Sequence, residues 1–436
     1  MKKVSFIGFD FLLFFAVLGL IIIGILFIYS SGVTSTGVVV SNEYIKQIIW
    51  AISGIVLFVL FSYISYERYK NWAVYIYFIS ILLLIVTPII GKEVNGAKSW
   101  LGIADIGIQP SEFSKISVIL FLAYYFYSVK KEIKKLSKFL IGFIIVLVPM
   151  ALILLQPDTG TAIVYFPIFL FMAFIAGADL KHIMFLIFVA LVAGILISFS
   201  AIKEYIITEN SPLLNILSDP SVYKYFLISI SIILLIAALG YFLFRRRYFY
   251  WITYSSLIAI LAMFSNIAAR HFMKNYQIMR LIIFLKPDID PRGSGWNIIQ
   301  SITAVGSGGF WGKGFLKGTQ SHYRFLPQQS TDFIFSILSE EWGFLGCILI
   351  FALFLIILLR GVYISYKSRE NYATLIGTGI VSMLFLHAIV NIGMSIGIMP
   401  ITGLPLFFLS YGGSSLWTAL IGVAILNNIN MQRRLF

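Results

Sequence analysis

Twelve apolar stretches, each close to the length of a membrane-spanning helix, restrict the possible folds of this chain more than any other feature. A helix needs roughly 20 mainly apolar residues to cross a bilayer. Only 11% of the 436 residues are charged, against about 25% in a typical soluble domain. We therefore predict an all-α polytopic membrane protein, with residues 1–436 as a single integral membrane domain. The predicted spans lie near 11–29, 46–65, 73–90, 112–128, 138–155, 160–177, 181–200, 225–244, 249–268, 333–359, 371–397 and 405–427.

The basic connectors between these spans predict the orientation of the chain. Lysine and arginine are enriched in the cytoplasmic loops of membrane proteins. All the short basic connectors fall on one side of the predicted topology, so we expect both termini in the cytoplasm and a first span that is retained. The connectors contain Lys2, Lys3, Arg68, Lys70, residues 130–138, Lys181, residues 245–247, Arg360, Lys367, Arg369, Arg433 and Arg434.

Several function classes lack their signatures in the sequence. Cys347 is the single cysteine, which excludes an intramolecular disulfide, and the four histidines show no pair at metal-ligand spacing. There is no Walker loop, no dinucleotide-binding glycine fingerprint and no Gly-x-Ser-x-Gly motif. Chemistry driven by a nucleotide or a serine nucleophile is therefore not expected, nor is a nucleic-acid partner.

Residues 269–331 are predicted to form one large extracellular loop. This loop carries eight Lys or Arg residues against two aspartates, and it contains a glycine-rich segment, residues 304–322, called the glycine loop below. The charge fits either a solvated face that pairs with lipid headgroups or a surface that holds an anionic substrate. Glycine-rich backbone can approach a ligand closely, but it is also typical of a flexible loop. The basic residues are Arg270, Lys274, Arg280, Lys286, Arg292, Lys313, Lys317 and Arg324.

Three charged residues lie where membrane helices begin or break. Glu112 and Lys115 are three residues apart, which places them on one face of a helix that Pro110 can begin. They form either a self-neutralising anchor or part of a catalytic site. Asp158 stands in a Gln-Pro-Asp-Thr-Gly break, where a helix cap is favoured over chemistry.

Residues 391–415 interrupt an apolar run with glycines and prolines. This pattern is typical of broken helices that line a cavity in a membrane protein. His387 and Asn391 are four residues apart on the preceding helix, so both can line that cavity. A lone buried histidine is, however, more often structural.

The stretch from Thr331 to Glu341 places three acids at one end of a predicted span. Thr331 or Asp332 can cap that helix, which would explain the first acid without any function. Glu340 and Glu341 lie about two turns deeper, so at least one must face a polar cavity or a basic partner. Asp332 adjoins the basic loop, where a general base could act on a substrate held at the membrane surface.

Five blocks between about residues 95 and 415 together resemble the hallmark motifs of the SEDS (shape, elongation, division and sporulation) family, and especially its elongation members. The resemblance implies a bundle of ten core transmembrane helices with one large extracellular loop. It also implies a peptidoglycan glycosyltransferase that polymerises lipid II at the outer face of the bacterial cytoplasmic (inner) membrane, in cell elongation and shape maintenance. The blocks are NGAKSW…QPSEFSK, LQPDTGTA, YQIMRLIIFLKPDIDPRGSGWNIIQS, AVGSGGFWGKGFLKGTQSHYRFLPQQSTDFIF and NIGMSIGIMPITGLPLFFLSYGGSS.

The same resemblance implies roles for individual positions. Asp332 matches the essential aspartate of the family, its proposed catalytic residue. Glu112, Lys115 and Asp158 match positions that are functionally important there. Supporting or substrate-binding roles are expected of Lys313, Thr331, Glu340 and Glu341.

The implied reaction is glycosyl transfer. Asp332 would deprotonate or orient the 4-hydroxyl of the acceptor sugar, which attacks the anomeric carbon of the donor and displaces undecaprenyl pyrophosphate. The negative charge that develops on the leaving pyrophosphate requires nearby cations. These can come from the basic loop, from Lys115, or from a divalent cation such as Mg²⁺ or Mn²⁺, which is the one candidate cofactor. The implied partners are a class B penicillin-binding protein and other membrane proteins of the elongation complex. Two further functions stay open: a lipid II flippase and a non-catalytic scaffold for that penicillin-binding protein.

The chain departs from the family pattern in three respects. Gln328 stands where the family usually has glutamate, and Ser99 where it has arginine, with Lys98 adjacent. The chain also has a surplus transmembrane hairpin near 225–268, within a predicted inserted region 201–268. No function follows from the sequence of this hairpin.

Overall fold

The structure is a computed structural model, and it is almost entirely helical. It describes residues 8–94, 97–103, 106–205, 220–273, 275–290 and 293–433. Several basic residues named above lie outside the described residues: Lys2, Lys3, Lys274, Arg292 and Arg434. The described parts contain fifteen α-helices: α1 Phe11–Ser31, α2 Glu43–Tyr63, α3 Tyr66–Ile90, α4 Pro110–Ser128, α5 Leu136–Leu155, α6 Thr159–Ala176, α7 Leu180–Tyr205, α8 Pro220–Phe244, α9 Arg247–Phe272, α10 Asn275–Leu285, α11 Ser294–Ser307, α12 Thr319–His322, α13 Ile334–Tyr366, α14 Asn371–Ser395 and α15 Gly413–Arg433.

Ten helices in the described chain are long and apolar enough to cross a membrane. Ten of the twelve predicted spans fall on these helices. The other two, 112–128 and 405–427, fall mainly on α4 and α15, which are more polar and are buried along most of their length. The predicted class, an all-α polytopic membrane protein, is confirmed.

The helices form two compact units, one of Met1–Ala178 with Asn297–Phe436 and the other of Asp179–Trp296. In the first unit, α2 packs on α15, α1 on α13, and α14 on α4, α6 and α13. In the second unit, α9 packs on α7 and α8. The helices α8 and α9 form the predicted surplus hairpin. The predicted extracellular loop 269–331 is divided between the two units at Trp296.

A small antiparallel sheet lies between α3 and α4, where no strand was predicted from the sequence. Strand β2, Ala97–Ile103, is central and pairs with β1, Lys92–Val94, and with β3, Ile106–Ile108. The register of the second pair places Leu101 opposite Ile108. The sheet directly precedes α4, the helix that carries Glu112.

The asparagines of α15 explain why this helix is polar although it lies within the bundle. Asn428 donates to the carbonyl of Ser62 at 2.7 Å and accepts from the backbone N–H of Tyr66 at 3.0 Å. Asn427 accepts from the backbone N–H of Asp10 at 2.9 Å. These bonds satisfy backbone groups at the start of α1 and in the α2–α3 turn, which lipid could not do.

Helix α13 is broken at Gly343, where φ is 60° and ψ is −157°. A break in a membrane helix frees backbone carbonyls, and these need other partners because lipid offers none. The glycine loop supplies such partners. The backbone N–H groups of Lys313 and Gly314 donate to the carbonyls of Glu340 and Glu341 at 3.0 and 2.9 Å. Part of the glycine loop therefore packs against α13 instead of remaining a free surface segment.

Gly312 is one position where the glycine loop approaches α13 closely. A Cβ atom there would lie 2.1 Å from the carbonyl oxygen of Glu341, and φ is +79°. We expect Gly312→Ala to lower the free energy of unfolding by about 1–3 kcal/mol more than Gly309→Ala. Gly309 is the matched control, since its φ is +58° but a Cβ would meet no atom within 4 Å. Thermal unfolding in detergent measures the difference, and equal losses in the two variants would contradict the packing role.

Candidate active site

A buried ion pair stands at the start of α4, where Pro110 occupies the first turn as predicted. The Nζ atom of Lys115 lies 2.7 Å from Oε1 of Glu112, and the side chains are 0% and 2% exposed. The predicted pairing on one helix face is confirmed. Oε2 of Glu112 has no hydrogen-bond partner in the described structure. The Lys115 ammonium is therefore the main group that offsets the free-energy cost of burying the Glu112 carboxylate.

His387, on α14, is the second partner of Lys115. Its Nε2 lies 2.9 Å from Lys115 Nζ, and its Nδ1 lies 3.0 Å from the carbonyl oxygen of Pro405. Because a carbonyl only accepts, Nδ1 carries the proton and Nε2 accepts from the ammonium. The ring also stacks on Phe407, with centroids 3.7 Å apart. Sequence reasoning missed this contact, since His387 and Lys115 are 272 positions apart and no local pattern links them.

Helix α14 also holds the backbone of Asp332. Asn391 lies one turn after His387, and its Nδ2 donates to the carbonyls of Asp332 and Leu404 at 3.0 and 2.8 Å. The Asp332 side chain is half-buried. One helix therefore contacts both the predicted catalytic residue and the ion pair of α4, so that these predicted site residues lie in one region of the first unit.

The turn that carries Asp332 differs from the predicted cap. The N-cap of α13 is Phe333, which makes no side-chain cap bond, and the Thr331 hydroxyl donates to the carbonyl of Gln328 at 3.2 Å. The same carbonyl accepts from the backbone N–H of Asp332 at 3.1 Å. Gln328 has φ +49°, so this departure from the family pattern sits at a left-handed turn position. Neither Thr331 nor Asp332 is the N-cap that was considered from the sequence.

Asp158 is the N-cap of α6, as predicted. Its Oδ1 accepts from the backbone N–H of Thr161 at 3.1 Å. Its Oδ2 accepts from the Thr161 hydroxyl at 2.8 Å and from Nε2 of Gln109 at 3.0 Å. Gln109 directly precedes α4. Asp158 therefore caps one helix and positions the start of the helix that carries the buried ion pair.

Glu340 anchors the glycine loop to α13. Its carboxylate accepts from Lys313 Nζ at 2.7 Å and from the backbone N–H groups of Thr319 and Gln320 at 2.8 and 3.1 Å. Glu340 is 0% exposed and Lys313 is 28% exposed. Glu340 thus has the basic partner that its depth requires. The Lys313 ammonium, expected to assist substrate binding, is bonded to this carboxylate and to the Thr319 hydroxyl.

Glu341 ties the same loop to α1. It accepts from the Ser30 hydroxyl at 2.5 Å and from the backbone N–H of Leu316 at 3.0 Å. His322 Nε2 lies 3.6 Å from the carboxylate, while its Nδ1 lies 2.8 Å from the carbonyl of Val33. Glu341 is fully buried. The structure therefore places Glu340 and Glu341 in loop-anchoring networks.

Loss of Glu340 is expected to release the glycine loop. Glu340→Ala leaves the Lys313 ammonium and the N–H groups of Thr319 and Gln320 without their acceptor, which we expect to cost about 2–4 kcal/mol of stability. Trypsin should then cleave faster after the exposed Lys317. Mass spectrometry of timed digests of the purified protein measures the rate.

Glu132→Ala is the matched control for this change. Glu132 pairs with Lys135 at the surface, where the side chains are 45% and 64% exposed. Solvent screens such a pair, so its loss should leave stability nearly unchanged, and cleavage after Lys317 should match the unmodified protein. Equal cleavage rates in the two variants would refute the anchoring role of Glu340.

Among the described residues, no three His, Cys, Asp or Glu side chains lie close enough to hold a metal ion. The divalent cation stays a prediction, and no step below is assigned to a metal. In the first unit, Lys317 and Arg324 are exposed cations of the predicted loop.

The fold and site define a multi-pass membrane protein whose candidate site residues come from α4, the N-cap of α6, α14 and the turn before α13. The model of the FtsW, RodA and SpoVE family, described as a cell cycle protein, matches residues 11–235 and 224–435. The chain belongs to this family, and the resemblance to the SEDS family is confirmed.

Individual relatives match over most of the chain. Peptidoglycan glycosyltransferase RodA of Treponema pallidum (strain Nichols) is 48% identical over 426 residues, which cover 98% of each protein. Peptidoglycan glycosyltransferase MrdB of Escherichia coli (strain K12) is 30% identical, covering 88% of this chain and 84% of that protein. Stage V sporulation protein E of Bacillus subtilis (strain 168) is 30% identical, covering 98% of each.

Two solved structures share the fold. One comes from a study of polymerisation and crosslinking by a peptidoglycan synthase complex, with a TM-score of 0.66, 24% identity, and coverage of 98% of this chain and 99% of that one. The other is the rod shape determining protein RodA of Thermus thermophilus, with a TM-score of 0.61, 21% identity and 98% coverage of both chains.

Proposed function

We propose that this protein is a peptidoglycan glycosyltransferase that polymerises lipid II into glycan strands during cell elongation. The observation that carries the proposal is the whole-length match to relatives named for this activity, among them the Treponema RodA at 48% identity. The site agrees with it, because a half-buried aspartate stands at the end of a membrane helix, and the same unit carries exposed cations of the predicted loop.

In the proposed mechanism Asp332 is the general base. It accepts the proton of the acceptor 4-hydroxyl as that oxygen attacks the anomeric carbon of the donor, and the bond to undecaprenyl pyrophosphate breaks. The exposed Lys317 and Arg324 are suited to stabilise the leaving pyrophosphate. Lys115 is fully buried and bonded to Glu112 and His387, so its role is to hold the site together.

The proposal extends to location and partners. The protein would lie in the bacterial cytoplasmic membrane with both termini in the cytoplasm, because lysine and arginine concentrate in cytoplasmic loops. Its partner would be a class B penicillin-binding protein that cross-links the strands, together with other elongation-complex membrane proteins. In support, one structural neighbour comes from work on a peptidoglycan synthase complex.

The test uses the purified full-length protein with labelled lipid II, alone and with the candidate transpeptidase, and gel separation of the products. Glycan strands that require this chain would support the glycosyltransferase. A chain that never forms strands but stabilises the transpeptidase would instead be a scaffold, and the proposal would fail.

A further inference from the structure

The surplus hairpin of the second unit contains a cavity. The cavity has a volume of about 490 Å³ and lies at the end of the hairpin opposite the α8–α9 turn at Arg245 and Arg246. Three of its lining side chains are basic and exposed: Lys224, Arg270 and His271. Three others, Leu227, Phe264 and Ile267, are apolar. The lining therefore combines positive charge with a surface suited to hydrocarbon.

A polar network fixes one wall of this cavity. Arg270 donates to the Ser200 hydroxyl at 2.6 Å, and that hydroxyl lies 3.3 Å from the Asn266 amide. The amide also lies 3.4 Å from the hydroxyl of Tyr223. Asn266 is only 2% exposed. Basic residues that merely extend from helix ends to the headgroup layer do not need hydrogen bonds to buried side chains. The network therefore indicates that Arg270 is held in position as part of a binding site.

We propose that this cavity binds the phosphate group of a membrane lipid. Guanidinium and ammonium groups recognise phosphate, and basic pockets between membrane helices hold anionic headgroups. Lys224 and Arg270 contact the phosphate, while Leu227, Phe264 and Ile267 contact the hydrocarbon chain. Two lipids carry this chemistry: an anionic glycerophospholipid, and the polyprenyl pyrophosphate carrier of the proposed reaction. Only the second source rests on the proposed function.

Native mass spectrometry of the full-length protein released from nanodiscs tests the site. The nanodiscs contain phosphatidylcholine with either phosphatidylglycerol or undecaprenyl pyrophosphate. We expect a retained anionic lipid, and an occupancy about tenfold lower in the double variant Lys224→Ala/Arg270→Ala. The charge-preserving variant Lys224→Arg/Arg270→Lys should retain the lipid. Retention of one lipid species and not the other identifies the source.

Arg246→Ala/Arg247→Ala is the matched control, because it removes two exposed cations from the opposite end of the same hairpin. It should retain the lipid as the unmodified protein does. Equal retention by both alanine variants, equal loss from both, or no anionic lipid on the unmodified protein would overturn the proposal. Thermal unfolding shows whether each variant is folded. Strand formation is measured separately, so that a failure of lipid binding at this cavity can be told apart from a failure of the proposed glycosyltransferase function.

Discussion

Asp332→Asn is expected to lower the rate of strand formation by about 10²–10⁴-fold, since it removes the general base while keeping the size of the side chain. The bond from Asn391 is made to the backbone carbonyl of Asp332, so the fold should remain intact. The measurement is the initial rate of lipid II consumption by the purified variant, with thermal unfolding in parallel.

Asp288→Asn is the control for Asp332→Asn, because it makes the same substitution at another aspartate, one within the predicted loop. Asp288 is exposed and belongs to the second unit, whereas Asp332 belongs to the first. We expect its rate to match that of the unmodified protein within about twofold. An Asp332→Asn variant as active as Asp288→Asn would remove Asp332 from the mechanism.

Lys115→Met is expected to cause the largest loss of stability, about 3–5 kcal/mol, because it leaves the Glu112 carboxylate buried without its cation. Thermal unfolding in detergent measures the loss. The exposed pair provides the control, since Lys135→Met removes a cation whose partner Glu132 is already solvated. A loss no greater than that of Lys135→Met would contradict the buried-pair argument.

The double variant Glu112→Gln/Lys115→Met separates structure from function. Removing the carboxylate as well should recover most of the stability, because no unpaired charge then remains. We expect its strand formation to stay at least about tenfold below the unmodified protein, since the bond that orients His387 is gone. A stable double variant with full activity would show that the pair is only an anchor.

Features set by short sequence separations were predictable. The apolar stretches predicted the long helices, because span length depends only on bilayer thickness. The spacing of Glu112 and Lys115 predicted their ion pair, and the Gln-Pro-Asp-Thr-Gly break predicted the Asp158 cap, since each depends on a single turn of backbone. The sheet before α4 had a signal as well: the Asn-Gly pair at 95–96 is typical of a two-residue hairpin.

Contacts between distant segments were not predictable. Nothing local to Glu340 indicates that its partners are Lys313 and two backbone N–H groups of the glycine loop. The glycines permitted either a ligand-binding or a flexible segment, and the close approach of Gly312 to α13 depends on the break at Gly343. Such choices are made by tertiary packing, which local propensity and spacing do not specify.

The most direct test of the account measures strand formation and lipid II translocation in the same proteoliposomes. We predict that the unmodified protein forms glycan strands, that Asp332→Asn forms them at least about 10²-fold more slowly, and that neither speeds the movement of lipid II between leaflets. Translocation by the unmodified protein without strands, or strands of normal yield from Asp332→Asn, would contradict a glycosyltransferase with Asp332 as its base.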